Sequence, residues 1–66
     1  MNEISKTKFA DWCREKGLTA AEVAQRIGCS KSTVYAYWYG QRLPSRRTMK
    51  RMEAELGVDT RRMFGL

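Results

Sequence analysis

Residues 31–39, with the sequence KSTVYAYWY, concentrate side chains that can make specific polar and aromatic contacts. A lysine, a serine and a threonine supply hydrogen-bond donors and acceptors, and four of the chain's seven aromatic residues follow within five positions. Such a set can bind a polar or anionic surface, but it contains no nucleophile beside a base, as catalysis would require. The segment therefore indicates binding, and the question is which of its residues face solvent.

The rest of the chain adds no catalytic or metal-binding set. It has no histidine, no glycine-rich phosphate loop and no clustered carboxylates. Its two cysteines, Cys13 and Cys29, are too few for the usual four-ligand zinc site, and we expect both to be reduced, mostly buried apolar side chains. The sequence therefore predicts a protein that is not an enzyme and has no metal, cofactor or small-molecule ligand.

The charge of the chain favours a polyanionic partner. Thirteen Lys and Arg residues stand against seven Asp and Glu residues, which gives a net charge of +6 in 66 residues. Charge alone does not separate DNA from RNA or from an anionic membrane, and a basic composition that serves only solubility is the alternative. Because no apolar run reaches about 18 residues and no signal segment is present, we expect a single cytoplasmic domain over residues 1–66.

Apolar residues recur at helical spacing nearly throughout, and no alternation typical of a strand persists. Spacing and capping residues predict an all-α chain of five short helices, roughly residues 5–16, 19–28, 31–39 and 46–56 and a last turn after residue 59. Thr19 and Glu22 form a capping-box pattern. The residues expected to face inward on the first, second and fourth helices are Phe9, Trp12, Cys13, Val23, Ala24, Ile27, Met49, Met52 and Leu56.

A turn of three residues, Gly28-Cys29-Ser30, joins the second and third helices. A connection this short makes the third helix cross the second steeply, and the contact needs a glycine at the bend and a small residue, here Ala24. At about 100° per residue, the third helix then divides into two faces. Val34, Tyr37 and Trp38 are expected to face the core, whereas Ser32, Tyr35, Ala36 and Tyr39 are expected to face outward.

The segments LTAAEVAQRIGCSKSTVYAYWYGQRLPS and LGVDTRRMF resemble the Cro and phage-repressor type of helix-turn-helix DNA-binding domain. The resemblance extends from Leu18 to about Phe64, and Pro44-Ser45 and Leu56-Gly57-Val58 lie in register with the family pattern. It implies a lambda-repressor-like fold and double-stranded DNA as the partner. A homodimer is expected because one such helix contacts only a few base pairs.

Three positions depart from the family pattern. Ala20 stands where members often have a glutamine that binds a phosphate, so that contact is not expected from this residue. Cys13 and Trp38 stand where many members pair an arginine with a glutamate, and the paired loss of both charges predicts an apolar contact between them. Glu53 replaces a small alanine, and the sequence offers only an unspecified basic partner for it.

The resemblance implies base contacts from the outward face of the third helix. Lysine can donate to guanine, serine can donate or accept, and an alanine methyl can touch the methyl group of thymine. Lys31 and Ser32 rank first, followed by Tyr35 and then Ala36, with Tyr35 packing on thymine or bonding a phosphate. The alternative is that exposed aromatic residues carry no function, as single ones usually do not.

Backbone phosphate contacts are expected from five residues: Thr33, Tyr39, Arg42, Arg46 and Arg47. The last two open a basic ridge that continues through Lys50 and Arg51, and a solvated helix face is the alternative interpretation. Contacts of this kind set affinity and orientation but carry no sequence information.

The function predicted from these features is a sequence-specific transcriptional regulator, a repressor or autoregulator that acts as a homodimer on a palindromic operator. The expected dimer patch consists of Met63, Phe64 and Leu66. The alternative is that these residues close the core of their own chain, and for Met63 the two interpretations are equally good. A protein-interaction module of the antitoxin type is the competing function. Non-specific nucleic-acid binding through charge is a third hypothesis.

Overall fold

The computed structural model describes residues 7–66, which form five α-helices and no strand. The helices are α1 (Lys8–Lys16), α2 (Ala20–Ile27), α3 (Lys31–Trp38), α4 (Arg46–Leu56) and α5 (Thr60–Met63). The all-α, five-helix prediction is thus confirmed. The start predicted for the first helix, residue 5, lies outside the described residues, whereas α3 ends one residue earlier than predicted.

Every helix begins at a side chain that accepts a hydrogen bond from its own first turn. The N-caps are Thr7, Thr19, Ser30, Ser45 and Asp59. These side chains satisfy backbone N–H groups that have no partner inside the helix. The last four were visible in the sequence as capping residues, so local chemistry fixes where α2 to α5 begin.

The capping box of α2 makes stability depend on pH. The Glu22 carboxylate accepts the Thr19 backbone N–H at 2.8 Å and the Thr19 hydroxyl at 3.2 Å, and these bonds lower the pKa of Glu22. Because the folded pKa lies below the unfolded value of about 4.3, this stabilisation is complete above that value and is lost as pH falls through the folded pKa.

We expect Glu22→Gln to flatten the acid limb of the stability curve. Urea unfolding between pH 7 and pH 3 should show a smaller loss of unfolding free energy for the variant than for the wild type, because its amide does not titrate. Glu15→Gln, on the exposed side of α1, is the matched control and should keep the wild-type slope. Equal slopes for all three proteins would contradict the capping assignment.

The core lies between α1, α2, α3 and α4, and α5 with its flanking residues closes it from one end. α2 packs against α3 and α4, while α1 packs against α3 and α5. Most of the residues predicted to face inward are fully buried; Trp12, Met49 and Leu56 are half-buried. The buried apolar residues are Phe9, Cys13, Ala20, Val23, Ala24, Ile27, Val34, Tyr37, Met52 and Val58.

Thr7 ties the beginning of α1 to the end of α3. Its backbone N–H donates to the carbonyl of Trp38 at 2.9 Å, and its hydroxyl lies 3.1 Å and 3.2 Å from the carbonyls of Tyr37 and Trp38. The same hydroxyl oxygen accepts from Ala10 N–H. This set of contacts, the Thr7 bridge, satisfies carbonyls at a helix end that otherwise lack partners.

Glu53 has a partner that is neutral rather than basic. The hydroxyl of Thr60, whose side chain is 1% exposed, donates to the Glu53 carboxylate at 2.8 Å and joins α4 to α5. A buried hydroxyl needs such an acceptor. The structure therefore explains the glutamate that the sequence left without an account.

Removing this acceptor should destabilise the protein. We expect Glu53→Ala to lower the free energy of unfolding by about 1–3 kcal/mol, because it leaves the Thr60 hydroxyl buried and unpaired. Glu53→Ala combined with Thr60→Val should recover most of the loss, since both polar groups are then removed together. Glu55→Ala, at an exposed position of the same helix, is the control. Denaturation in urea measures these three variants together with Thr60→Val alone, and a double variant whose loss is the sum of the two single losses would contradict the pairing.

Candidate nucleic-acid interface

The turn between α2 and α3 has the geometry that its sequence predicts. Gly28 adopts φ 74°, in the left-handed region, and the N–H groups of Gly28 and Cys29 both donate to the carbonyl of Ala24, at 2.8 Å and 3.0 Å. Ser30 then starts α3 by accepting from Thr33 N–H. A glycine is favoured at the bend because other residues are strained at this φ.

The two faces of α3 separate as the sequence predicts at four of the seven assigned positions. Val34 and Tyr37 are buried, at 0% and 5% exposure, whereas Lys31 and Ser32 are exposed and Tyr35 is 43% exposed. Ala36, Trp38 and Tyr39 are half-buried. The residues ranked highest for base contact thus share the solvent side of one short helix.

Hydroxyl groups at the start of α3 are ordered by one another. Ser30 Oγ lies 3.1 Å from Ser32 Oγ and 2.9 Å from Thr33 Oγ1. A hydroxyl has one donor and two acceptor sites, so the hydroxyls of Ser32 and Thr33 keep capacity for a further partner, whereas that of Ser30, which also accepts from Thr33 N–H, is fully used. Ser32 and Thr33 therefore present polar atoms in defined positions at the solvent edge of the helix.

The electrostatics at the start of α3 and α4 favour an anion. Neither helix has an acidic residue in its first turn. Lys31 begins α3, and Arg46 and Arg47 begin α4. Cations at the positive end of a helix dipole are unfavourable without a negative partner. The structure therefore places uncompensated positive charge on these two helix starts.

Arg51, which belongs to the basic ridge, lies beside the turn between α2 and α3. Its guanidinium carbon lies 3.8 Å from the point where a Cβ on residue 28 would stand. Arg42, Arg46 and Arg47 are exposed, as phosphate contacts need to be. Leu43, 54% exposed in the loop before α4, is a feature that sequence reasoning missed, since its apolar side chain gave no signal of exposure.

Cys13 is buried in the core and Trp38 packs against that core, which agrees with the apolar contact that their paired departure from the family pattern predicts. Burial raises the pKa of the Cys13 thiol to about 11, and the indole of Trp38 lowers that pKa by less than burial raises it. Trp38 Nε1 is itself buried without a partner of standard hydrogen-bond geometry. Burial also raises the pKa of Cys29. Both cysteines are free thiols, and their raised pKa values keep them protonated and poorly reactive at neutral pH.

Ala20 lies in the core at 3% exposure, so α2 presents no long polar side chain at that position. The phosphate contact that the family often makes there is not available to this residue. Any backbone contact at the start of α2 falls to its N-terminal N–H groups or to neighbouring side chains.

The expected dimer patch is divided in the structure. The ring of Phe64 lies 5.5 Å from Phe9 and 6.4 Å from Tyr37 between centroids, so it closes the core of its own chain. Met63 is half-buried against the same core, and Leu66 is 56% exposed. Leu66 is the one member of the patch left fully on the surface.

Neither metal-binding nor membrane-spanning features occur within residues 7–66. No three cysteine or acidic side chains there lie close enough to hold a metal ion. None of the helices in this range is long and apolar enough to cross a bilayer.

A short helix presented outward by a tight glycine turn, with an exposed polar face and a basic helix following it, defines a DNA-binding helix-turn-helix domain. The chain belongs to the helix-turn-helix family of the Cro and phage-repressor type, whose sequence model matches residues 10–62. The match confirms the resemblance and shows a DNA-binding regulator of a family that is not catalytic. No curated protein and no solved structure matches the chain.

Proposed function

We propose that this protein is a sequence-specific transcriptional regulator that binds a palindromic operator as a homodimer and represses by occupying it. The observation that carries the proposal is the solvent-facing set Lys31, Ser32 and Tyr35 on a helix whose opposite face is locked in the core. Lysine and serine match the hydrogen-bonding groups of base edges in the major groove.

The electrostatic features support contacts with a phosphate backbone. Basic residues begin both α3 and α4 without acidic neighbours in the first turn, and Arg51 reaches the turn between α2 and α3. Contacts from such residues to phosphates position a helix in the groove. Arg42, Arg46 and Arg47, with the hydroxyls of Thr33 and Tyr39, are the proposed phosphate contacts.

Dimerisation follows from the small number of bases that one helix reaches. Two-fold dimers place their helices about 34 Å apart, one turn of the duplex. Leu66 is proposed as the exposed part of the dimer contact, with Met63 at its edge and Phe64 supporting it from the core.

Selection of bound duplexes from a random library, followed by fluorescence anisotropy, tests the proposal. We expect a palindromic site that binds at least 1,000-fold more tightly than a scrambled duplex at matched salt. Sedimentation of the complex should give two chains per duplex. Equal affinity for the selected and scrambled duplexes would overturn the proposal and leave binding through charge.

A further inference from the structure

We propose that Trp38 is a positioning residue for DNA recognition, which fixes the orientation of Tyr35 on the exposed face of α3 without contacting DNA itself. This inference rests on the proposed function and assigns a residue that determines its specificity. It starts from the contact between the two rings, whose centroids lie 5.4 Å apart at an interplanar angle of 85°.

The ring contact restrains a side chain that would otherwise be mobile. Tyr35 is 43% exposed, and an exposed tyrosine on a helix can exchange between the two χ1 rotamers that a helix allows. Trp38 lies three residues further along, on the neighbouring position of the helix surface. Edge-to-face contact between aromatic rings is favourable, so the indole selects one orientation of the phenol.

Trp38 can act in this way because it is fixed on its other side. Its carbonyl accepts from the Thr7 N–H at 2.9 Å through the Thr7 bridge, and its indole packs against the core beside Cys13. Tyr35 is thereby connected through a single residue to the rigid part of the fold. A charged side chain at position 38 would offer Tyr35 no aromatic surface.

A fixed tyrosine is more discriminating than a mobile one. A rigid aromatic side chain loses little conformational entropy when it binds, and its position relative to a base edge is set in advance. A mobile ring would meet several bases equally well. Trp38 therefore affects which base pair is preferred and has little effect on affinity for phosphates.

The test compares four variants with the wild type in anisotropy titrations at matched salt: Tyr35→Ala, Trp38→Leu, Trp38→Phe, and Tyr35→Ala with Trp38→Leu. The selected duplex is measured beside single-pair substitutions, and the pair at which Tyr35→Ala loses discrimination is the reporter. We expect Trp38→Leu to lose discrimination there by about tenfold, as Tyr35→Ala does, while affinity for scrambled duplex changes less than twofold. Trp38→Phe should retain most of the discrimination at this base pair, because its ring still offers Tyr35 an aromatic surface.

Trp38→Leu in the Tyr35→Ala background should change discrimination no further, because the side chain that Trp38 positions is already gone. Undiminished discrimination in Trp38→Leu would overturn the inference, and so would a further loss in the double variant. Since Trp38→Leu can also weaken the core, the χ1 rotamer of Tyr35 in the free wild-type protein is measured by NMR. One dominant rotamer supports the inference, and averaging among rotamers overturns it.

Failure here is distinguishable from failure of the proposed function. If the wild type itself binds selected and scrambled duplexes alike, the proposed function fails. If the wild type discriminates and Trp38→Leu does so equally well, only the role of Trp38 fails.

Discussion

Replacing Lys31 and Ser32 together with alanine is expected to lower affinity for the selected duplex by about 100-fold and affinity for a scrambled duplex only a few-fold. Each good contact to a base edge is worth about 1–3 kcal/mol of discrimination, and two such contacts are lost. The small non-specific loss reflects removal of one positive charge. Both side chains are exposed, so the substitutions leave the core intact. Anisotropy titrations at matched salt measure the ratio of the affinities for the selected and scrambled duplexes.

Arg46→Ala is the matched control for that pair. As a phosphate contact, Arg46 should affect both duplexes alike and reduce the slope of log K against log salt by about 1. If the double variant also weakens both duplexes equally, Lys31 and Ser32 contact only the backbone. If it binds DNA normally but loses a co-purifying protein, the antitoxin-type interaction module becomes the better explanation.

Phe9→Ala is expected to have the largest effect on stability. Phe9 is fully buried, and the centroid of its ring lies 6.3 Å from that of Trp12 and 5.5 Å from that of Phe64. Truncation of a buried phenylalanine costs about 3–5 kcal/mol. Because a domain of 66 residues has a total stability of only about 3–10 kcal/mol, much of the variant should be unfolded at 25 °C. Circular dichroism in a urea titration gives the difference.

Bound DNA should partly restore the Phe9→Ala variant, because a ligand that binds only the folded state stabilises it. Duplex at 1,000 times its dissociation constant contributes about 4 kcal/mol.

Leu43→Ala, at a position 54% exposed, is the control for the Phe9→Ala measurement and should change stability by less than about 0.5 kcal/mol. A Phe9→Ala loss as small as that of Leu43→Ala would contradict the core described here.

Local chemistry explains why so much of this fold is predictable from sequence. Thr19 with Glu22 and Ser30 with Thr33 interact across three residues, so their helix starts are visible without any tertiary information. The bend at Gly28 likewise depends on the conformation of one residue. The two faces of α3 follow from helical period alone, which is why the exposure of Tyr35 was predicted correctly.

Contacts between distant elements were predictable only where two unusual residues coincided. Cys13 and Trp38 each replace a charged residue of the family pattern, and that coincidence pointed to their contact. Glu53 gave no such hint, because its partner Thr60 is an ordinary polar residue whose burial depends on how α5 docks. The sequence does not decide the position of Phe64 for the same reason, since an apolar residue after a short last helix suits a core or an interface equally.

The Thr7 bridge has a consequence for the order in which the protein opens. It connects positions 30 and 31 residues apart, whereas α2 and α3 are adjacent in the chain and can associate with little loss of loop entropy. Detachment of α1 would release the carbonyls of Tyr37 and Trp38 and loosen the end of α3 without separating α2 from it. The amides of Tyr39 and Gln41 should therefore exchange hydrogen at the same rates as the amides of α1. Such a result would show that α1 and the last turn of α3 open as one cooperative unit.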